Sequence, residues 1–200
     1  MSHLRTLCGM TANDSKQADS GGLTWVSTLG GPHILVPRSA LPYWHGAPVD
    51  YPEDEGDYGR ACSVQSYIGL IDVGPSQALV VAGELGATTY LPEKNVIIQR
   101  VGTRSGARYA QGASALTKAA VEIIDAGTVP EYEEVTWTVE EPVILFDSVH
   151  GHEYVASEDH LWIDLIPGRY KVRAAYVELP EDPIVLVRLN LSAAAGPQSE

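Results

Sequence analysis

Ten runs of strand length, punctuated by Gly, Pro and acidic residues, constrain this chain more than any other feature: Trp25 to Leu29, His33 to Val36, Tyr67 to Val73, Ala78 to Ala82 and Asn95 to Val101, then Glu134 to Val139, Val143 to Phe146, Leu161 to Ile166, Tyr170 to Val177 and Ile184 to Leu189. Runs this short, rich in Val, Ile, Leu and aromatics, specify strands rather than helices. Gly74-Pro75-Ser76 and Pro167-Gly168-Arg169 each separate two runs, and both predict hairpins, because Pro fixes φ and Gly accepts turn geometry. One long helix is expected from Ser114 as N-cap, with Leu116, Ala120, Ile123 and Ile124 on one face and Gly127 as the stop. A shorter helix over 57–65 would place Tyr58, Ala61 and Cys62 on one side, although Gly59 works against it. The expected fold class is α+β and β-rich, with mostly antiparallel strands.

The two series of strands echo each other. Thr24-Trp25 followed by Pro32-His33-Ile34-Leu35 is matched by Thr136-Trp137 followed by Pro142-Val143-Ile144-Leu145, and 91–101 lies over 179–189 without a gap. This predicts an internal duplication: a mobile tail over 1–22, a first β unit over 23–105, a connecting helix in 106–130, a second β unit over 131–191, and a tail over 192–200. Pro32 to Asp72 spans 40 positions whereas Pro142 to Asp164 spans 22, which places an insertion around Pro42 to Tyr58 of the first copy. Insertions on a repeated scaffold are where function is added, since loops change without disturbing the core.

That insertion is chemically distinct. From Ser39 to Gly59 there is no Lys or Arg, while Asp50, Glu53, Asp54, Glu55 and Asp57 stand among Trp44, Tyr51 and Tyr58. Aromatic rings supply contact area at low rotamer entropy, and carboxylates steer a basic partner, so these eight residues are the expected partner-binding set. The whole chain carries 26 acidic against 13 basic residues, a net charge of −13. That opposes binding to nucleic acid or to anionic membrane, both of which need Lys and Arg to neutralise phosphates.

Other chemistry is thinly represented. His150 and His152, with His160 nearby, are the one metal-like grouping and define an alternative reading as a metal-dependent enzyme, but their spacing matches neither HExxH nor a Cys/His knuckle. No GxSxG elbow, Walker loop or GxGxxG is present, and Cys62 sits in an apolar helical pattern typical of an inert thiol. No cofactor or catalytic residue is expected. Cys8 and Cys62 do not form a disulfide framework, and the amino terminus lacks the apolar core of a secretory signal, so a cytoplasmic location is expected.

Trp25-Val-Ser-Thr-Leu-Gly-Gly-Pro-His-Ile-Leu-Val-Pro37, Leu41-Pro-Tyr-Trp44 and Asp57-Tyr-Gly-Arg-Ala-Cys62 leading to Tyr67-Ile-Gly-Leu-Ile-Asp-Val-Gly74 resemble the immunity protein 21 family of bacterial polymorphic toxin systems. The resemblance implies a non-enzymatic antidote that binds a cognate toxin domain. It carries over no catalytic residues. The acidity of the insertion then points to a basic toxin, of which a nuclease is one form, blocked by occlusion. A non-catalytic scaffold is a further alternative.

Overall fold

A computed structural model describes residues 22–28, 30–48, 56–83, 86–101, 113–129, 133–180 and 182–192. Eleven strands and three helices follow in the order β1 Val26–Ser27, β2 His33–Pro37, α1 Gly56–Cys62, β3 Ile68–Val73, β4 Ser76–Val81, β5 Ala87–Leu91, β6 Val96–Arg100, α2 Ala113–Ala126, β7 Glu133–Val139, β8 Val143–Asp147, α3 His152–Val155, β9 His160–Ile163, β10 Gly168–Val177 and β11 Ile184–Leu191. Short 3-10 turns occupy Leu41–Tyr43 and Pro92–Lys94. The strands form two antiparallel sheets, ordered β1-β5-β6-β11-β10-β7 and β3-β4-β2-β8-β9. The chain is β-rich α+β, as its short runs require.

The two sheets pack face to face. Leu35, Leu79, Leu145 and Ile163 from the five-stranded sheet meet Ile97, Trp137, Val172 and Val187 from the six-stranded sheet in one buried cluster. Both outer faces are also apolar, and each needs a cover. Ile34, Val36, Val80, Ile144 and Phe146 lie beneath Trp44, Ala61 of α1 and Val155 of α3. On the other side Val96, Ile98, Ile184 and Leu186 lie beneath Ala113, Leu116 and Ala120 of α2. The result is four layers, with a helical cover on each side of the sandwich. This explains the sequence pattern of the central strands: β2, β6 and β8 are buried at every position and carry runs of three or four consecutive apolar residues, with His33, Gln99, Arg100 and Asp147 as buried polar ends, whereas β7, at a sheet edge with one open face, alternates.

Each series of strands contributes to both sheets. β2 pairs with β8 about the opposed Leu35 and Leu145, and β6 pairs with β11 about the opposed Ile98 and Leu186, residues that the two series place at equivalent positions. The tryptophans part company, because Trp25 packs under α2 and Trp137 packs between the sheets.

α2 begins at Ala113, one residue ahead of Ser114, and ends at Gly127, whose φ of +65° and N–H bond to the Ile124 carbonyl close the helix. Gly74-Pro75 forms the β3–β4 hairpin. The second expected hairpin is corrected: β9 belongs to the five-stranded sheet and β10 to the six-stranded one, so the 164–167 segment crosses between sheets. Ile163 and Leu165 both enter the core between the sheets, which carries the chain across instead of back beside itself.

Candidate partner-binding face

Two stems flank the acidic insertion in the chain, and both are fixed to the outside of the five-stranded sheet. On the first stem Trp44 follows the 3-10 turn and is fully buried against Ile34 and Phe146. Its indole N–H donates to the Ser148 carbonyl at 3.2 Å, and its own carbonyl accepts the His152 backbone N–H at 2.9 Å. Ser148 in turn donates from its hydroxyl to the Pro32 carbonyl at 2.6 Å, tying this stem to the start of β2. Gly46 has a φ of +66°, and a Cβ there would stand 2.4 Å from the Val149 carbonyl oxygen, so only glycine lets the two backbones approach this closely. The Ala47 N–H then donates to that same carbonyl at 2.9 Å.

The second stem is α1. Asp57 accepts the His45 backbone N–H on one carboxylate oxygen at 2.7 Å and pairs with Arg60 through the other at 2.6 Å. Arg60 also donates to the Asp72 carbonyl at 2.7 Å, anchoring the helix to β3. The Tyr58 N–H donates to the Gly46 carbonyl at 3.2 Å, and its ring lies so close over Gly31 that a Cβ there would meet Tyr58 Oη at 2.6 Å. Gly56 sits beside Pro48 and Gly46, so the described chain departs and returns at neighbouring points. Asp50, Tyr51, Glu53, Asp54 and Glu55 lie outside the described residues. Trp44, Asp57 and Tyr58 come together around Gly46 and form the base of the insertion.

The far end of α1 walls a cleft of about 650 Å³, between Ala61, Cys62 and Val64 on one side and Gly31, Tyr67 and Glu133 on the other. One Glu133 carboxylate oxygen accepts the Ile68 N–H at 3.3 Å. Cys62 is exposed, and partial burial pushes its thiol pKa up, opposed by a hydrogen bond with Tyr58. The group is therefore a thiol rather than an activated thiolate at neutral pH. The insertion stems, α1 and the cleft make one continuous face, with acidic and aromatic chemistry at one end and a concave, half-apolar site at the other.

The histidines serve structure. His152 Nδ1 lies 3.2 Å from both the Trp44 carbonyl and Glu153 Oε2, and the His45 ring meets the His152 ring edge-on at 5.7 Å. His160 Nδ1 contacts the Glu158 carbonyl within its own turn at 2.9 Å. Among the described residues no three His, Cys, Asp or Glu side chains converge as a metal site requires. The supporting roles of Gly31, Gly46 and His152 had no local signature. Nor did the cleft, which is assembled from segments distant in sequence.

A family model described as immunity protein 21 matches residues 24–182, a span that contains every feature of this face. The chain belongs to the immunity protein 21 family. Immunity proteins protect by binding a cognate toxin, so a face for a protein partner is what this architecture has to supply. No curated protein and no solved structure matches the chain at a significant level.

Proposed function

We propose that this protein is a non-catalytic antidote that neutralises its toxin by one-to-one occlusion, with the α1 face as the contact surface. Family membership carries the reading, and the mounting of the acidic segment supports its placement. The five carboxylates and two tyrosines from Asp50 to Tyr58 are flanked by stems that are hydrogen-bonded on both sides, so little of the base must be ordered on binding. Carboxylates there would pair with a basic surface, raising the association rate and selecting the partner. A nuclease, whose substrate cleft must attract phosphates, is the toxin class that fits such a surface. The cleft beside Tyr67 and Glu133 would then accept a long basic side chain at the rim of that contact. In this reading Trp44 and Asp57 hold the surface in place, and Glu53, Asp54 and Glu55 meet the partner. The protein acts in the cytoplasm, where such a toxin would reach nucleic acid.

We also infer that the two series of strands descend from one duplicated β unit, supported by the central pairings about Leu35 with Leu145 and Ile98 with Leu186. The acidic insertion would then be the part added to one copy.

Co-expression with the toxin-like domain encoded beside its gene is the test. Restored growth and a stable one-to-one complex are expected, and a Glu53→Gln, Asp54→Asn, Glu55→Gln variant should associate more slowly with a weaker salt dependence. Growth arrest despite two folded proteins would refute the antidote reading, and an unchanged on-rate in the triple variant would refute the placement.

A further inference from the structure

Among the described residues, α2 covers the outer face of the six-stranded sheet over Val96, Ile98, Ile184 and Leu186. Where the cover stops, alternate residues of β10 place Arg169, Lys171 and Arg173 on the outside, about 7 Å apart along the strand, because Tyr170, Val172 and Ala174 point into the core. Arg188 of β11 stands opposite Arg173 in the register, on the same face. Among the described residues Glu134 of β7 is the carboxylate that pairs with them, at 2.8 Å from Arg173 and 3.2 Å from Lys171. Four cations around one carboxylate reverse the balance of a chain that carries 26 acidic and 13 basic side chains.

Arg188 sharpens the point. Two of its nitrogens, Nε and Nη2, are buried with no hydrogen-bond partner, in a molecule with carboxylates to spare. A guanidinium with two nitrogens shielded from water and no acceptor is costly, and because the side chain is only half-buried, a carboxylate on its open side would offset part of that cost by charge. On the other side of β10, Thr136 and Thr138 of β7 stand opposite Lys171 and Arg169 and are exposed.

We propose that this basic stripe is a second protein-interaction surface, and that its occupant is an acidic segment of a partner protein, laid across β10 with carboxylates on Arg188 and Arg169. It lies on the opposite side of the sandwich from the α1 face, and it suits a partner of opposite charge to the one that face attracts. A carboxylate-bearing segment fits better than nucleic acid. An excess of three positive charges matches a few Asp or Glu residues, whereas a polyanion carrying a phosphate every few ångströms would be repelled by a chain whose net charge is −13.

The experiment uses the full chain and a fluorescein-labelled deca-glutamate peptide, followed by anisotropy at low salt, with a deca-glutamine peptide and a single-stranded DNA of equal length as controls. Saturable binding to the glutamate peptide is expected, weakened about tenfold or more by Arg169→Gln with Arg188→Gln and unchanged by Lys118→Gln on the exposed side of α2. Among the described residues neither Arg169 nor Arg188 has an ion-pair partner, so the double variant should keep its fold, to be checked by its unfolding midpoint. Absence of saturable binding, equal loss with Lys118→Gln, or tighter binding of the DNA would each overturn the proposal.

Discussion

The two outer faces of the sandwich solve one problem in different ways. Over the six-stranded sheet a single amphipathic helix, α2, lays Leu116 and Ala120 on Ile98 and Leu186. Over the five-stranded sheet the cover is assembled from pieces: a buried Trp44, seven residues of α1 and four of α3, pinned by hydrogen bonds and by close glycine contacts. A continuous helix stabilises itself through its own backbone bonds. A pieced cover depends on each anchor, but it leaves gaps between pieces where chain can be added. The acidic residues belong to the stretch of chain that joins two of these pieces, and the cleft beside α1 lies at a gap between others, so the side built from fragments is the side suited to carrying a recognition surface.

This contrast makes ordered predictions for stability, each measurable by urea denaturation. Trp44→Ala should have the largest effect, about 3–5 kcal/mol, because it removes the largest buried side chain of the pieced cover and leaves the carbonyl of Ser148 unpaired. Leu116→Ala, the matching truncation in α2, should lose about 2–3 kcal/mol, because the rest of the helix remains seated. If the order of these two were reversed, the difference drawn between the faces would be wrong. Glycine substitutions give a smaller version of the same comparison. Gly46→Ala combines a positive φ with a collision against the Val149 carbonyl and should lose about 2–3 kcal/mol, whereas Gly127→Ala, with a positive φ but open space around it, should lose about 1 kcal/mol.

The smallest effect belongs to the core that both faces share. His33 is fully buried, with Nε2 3.1 Å from the Val26 carbonyl and Nδ1 3.1 Å from the Thr88 hydroxyl. Burial lowers its pKa, opposed by the neighbouring Asp147 charge. The folded state therefore favours the neutral ring, and the unfolded chain takes up the proton first as pH falls. The stabilisation is complete above the unfolded value of about 6.5 and is lost as pH falls through the folded pKa. Stability of the native chain should thus decline more steeply between pH 7 and pH 5 than that of His33→Gln, and parallel slopes would exclude this contribution.

Much of the scaffold was legible because burial on both faces writes itself into the sequence. β2 and β8 read as HILVP and VILFD, and the spacing of α2 marks its one covered side. β5 was not legible. Its Ala-Thr-Thr-Tyr-Leu resembles a loop, and it is a strand because the Thr88 hydroxyl meets His33 and the Thr89 hydroxyl donates to the Thr24 carbonyl, partners that no local pattern reveals. Pro167-Gly168 signals a turn in the sequence, but a turn signal does not say whether the next strand returns to the same sheet. The insertion stood out through its charge and aromatic content, yet composition alone cannot distinguish a ring that faces a partner from one that faces the sheet. For Trp44 the apolar surface of Ile34 and Phe146 decides it.

The central claim is that the toxin is held on the α1 face. Hydrogen–deuterium exchange of the chain alone and in complex with its toxin domain tests this most directly, since it reports on every segment at once. The account predicts slowed exchange over 44–66, including the acidic segment, with β7 and the first half of β10 unchanged. Protection confined to β7 and β10, with 44–66 exchanging as in the free chain, would contradict it.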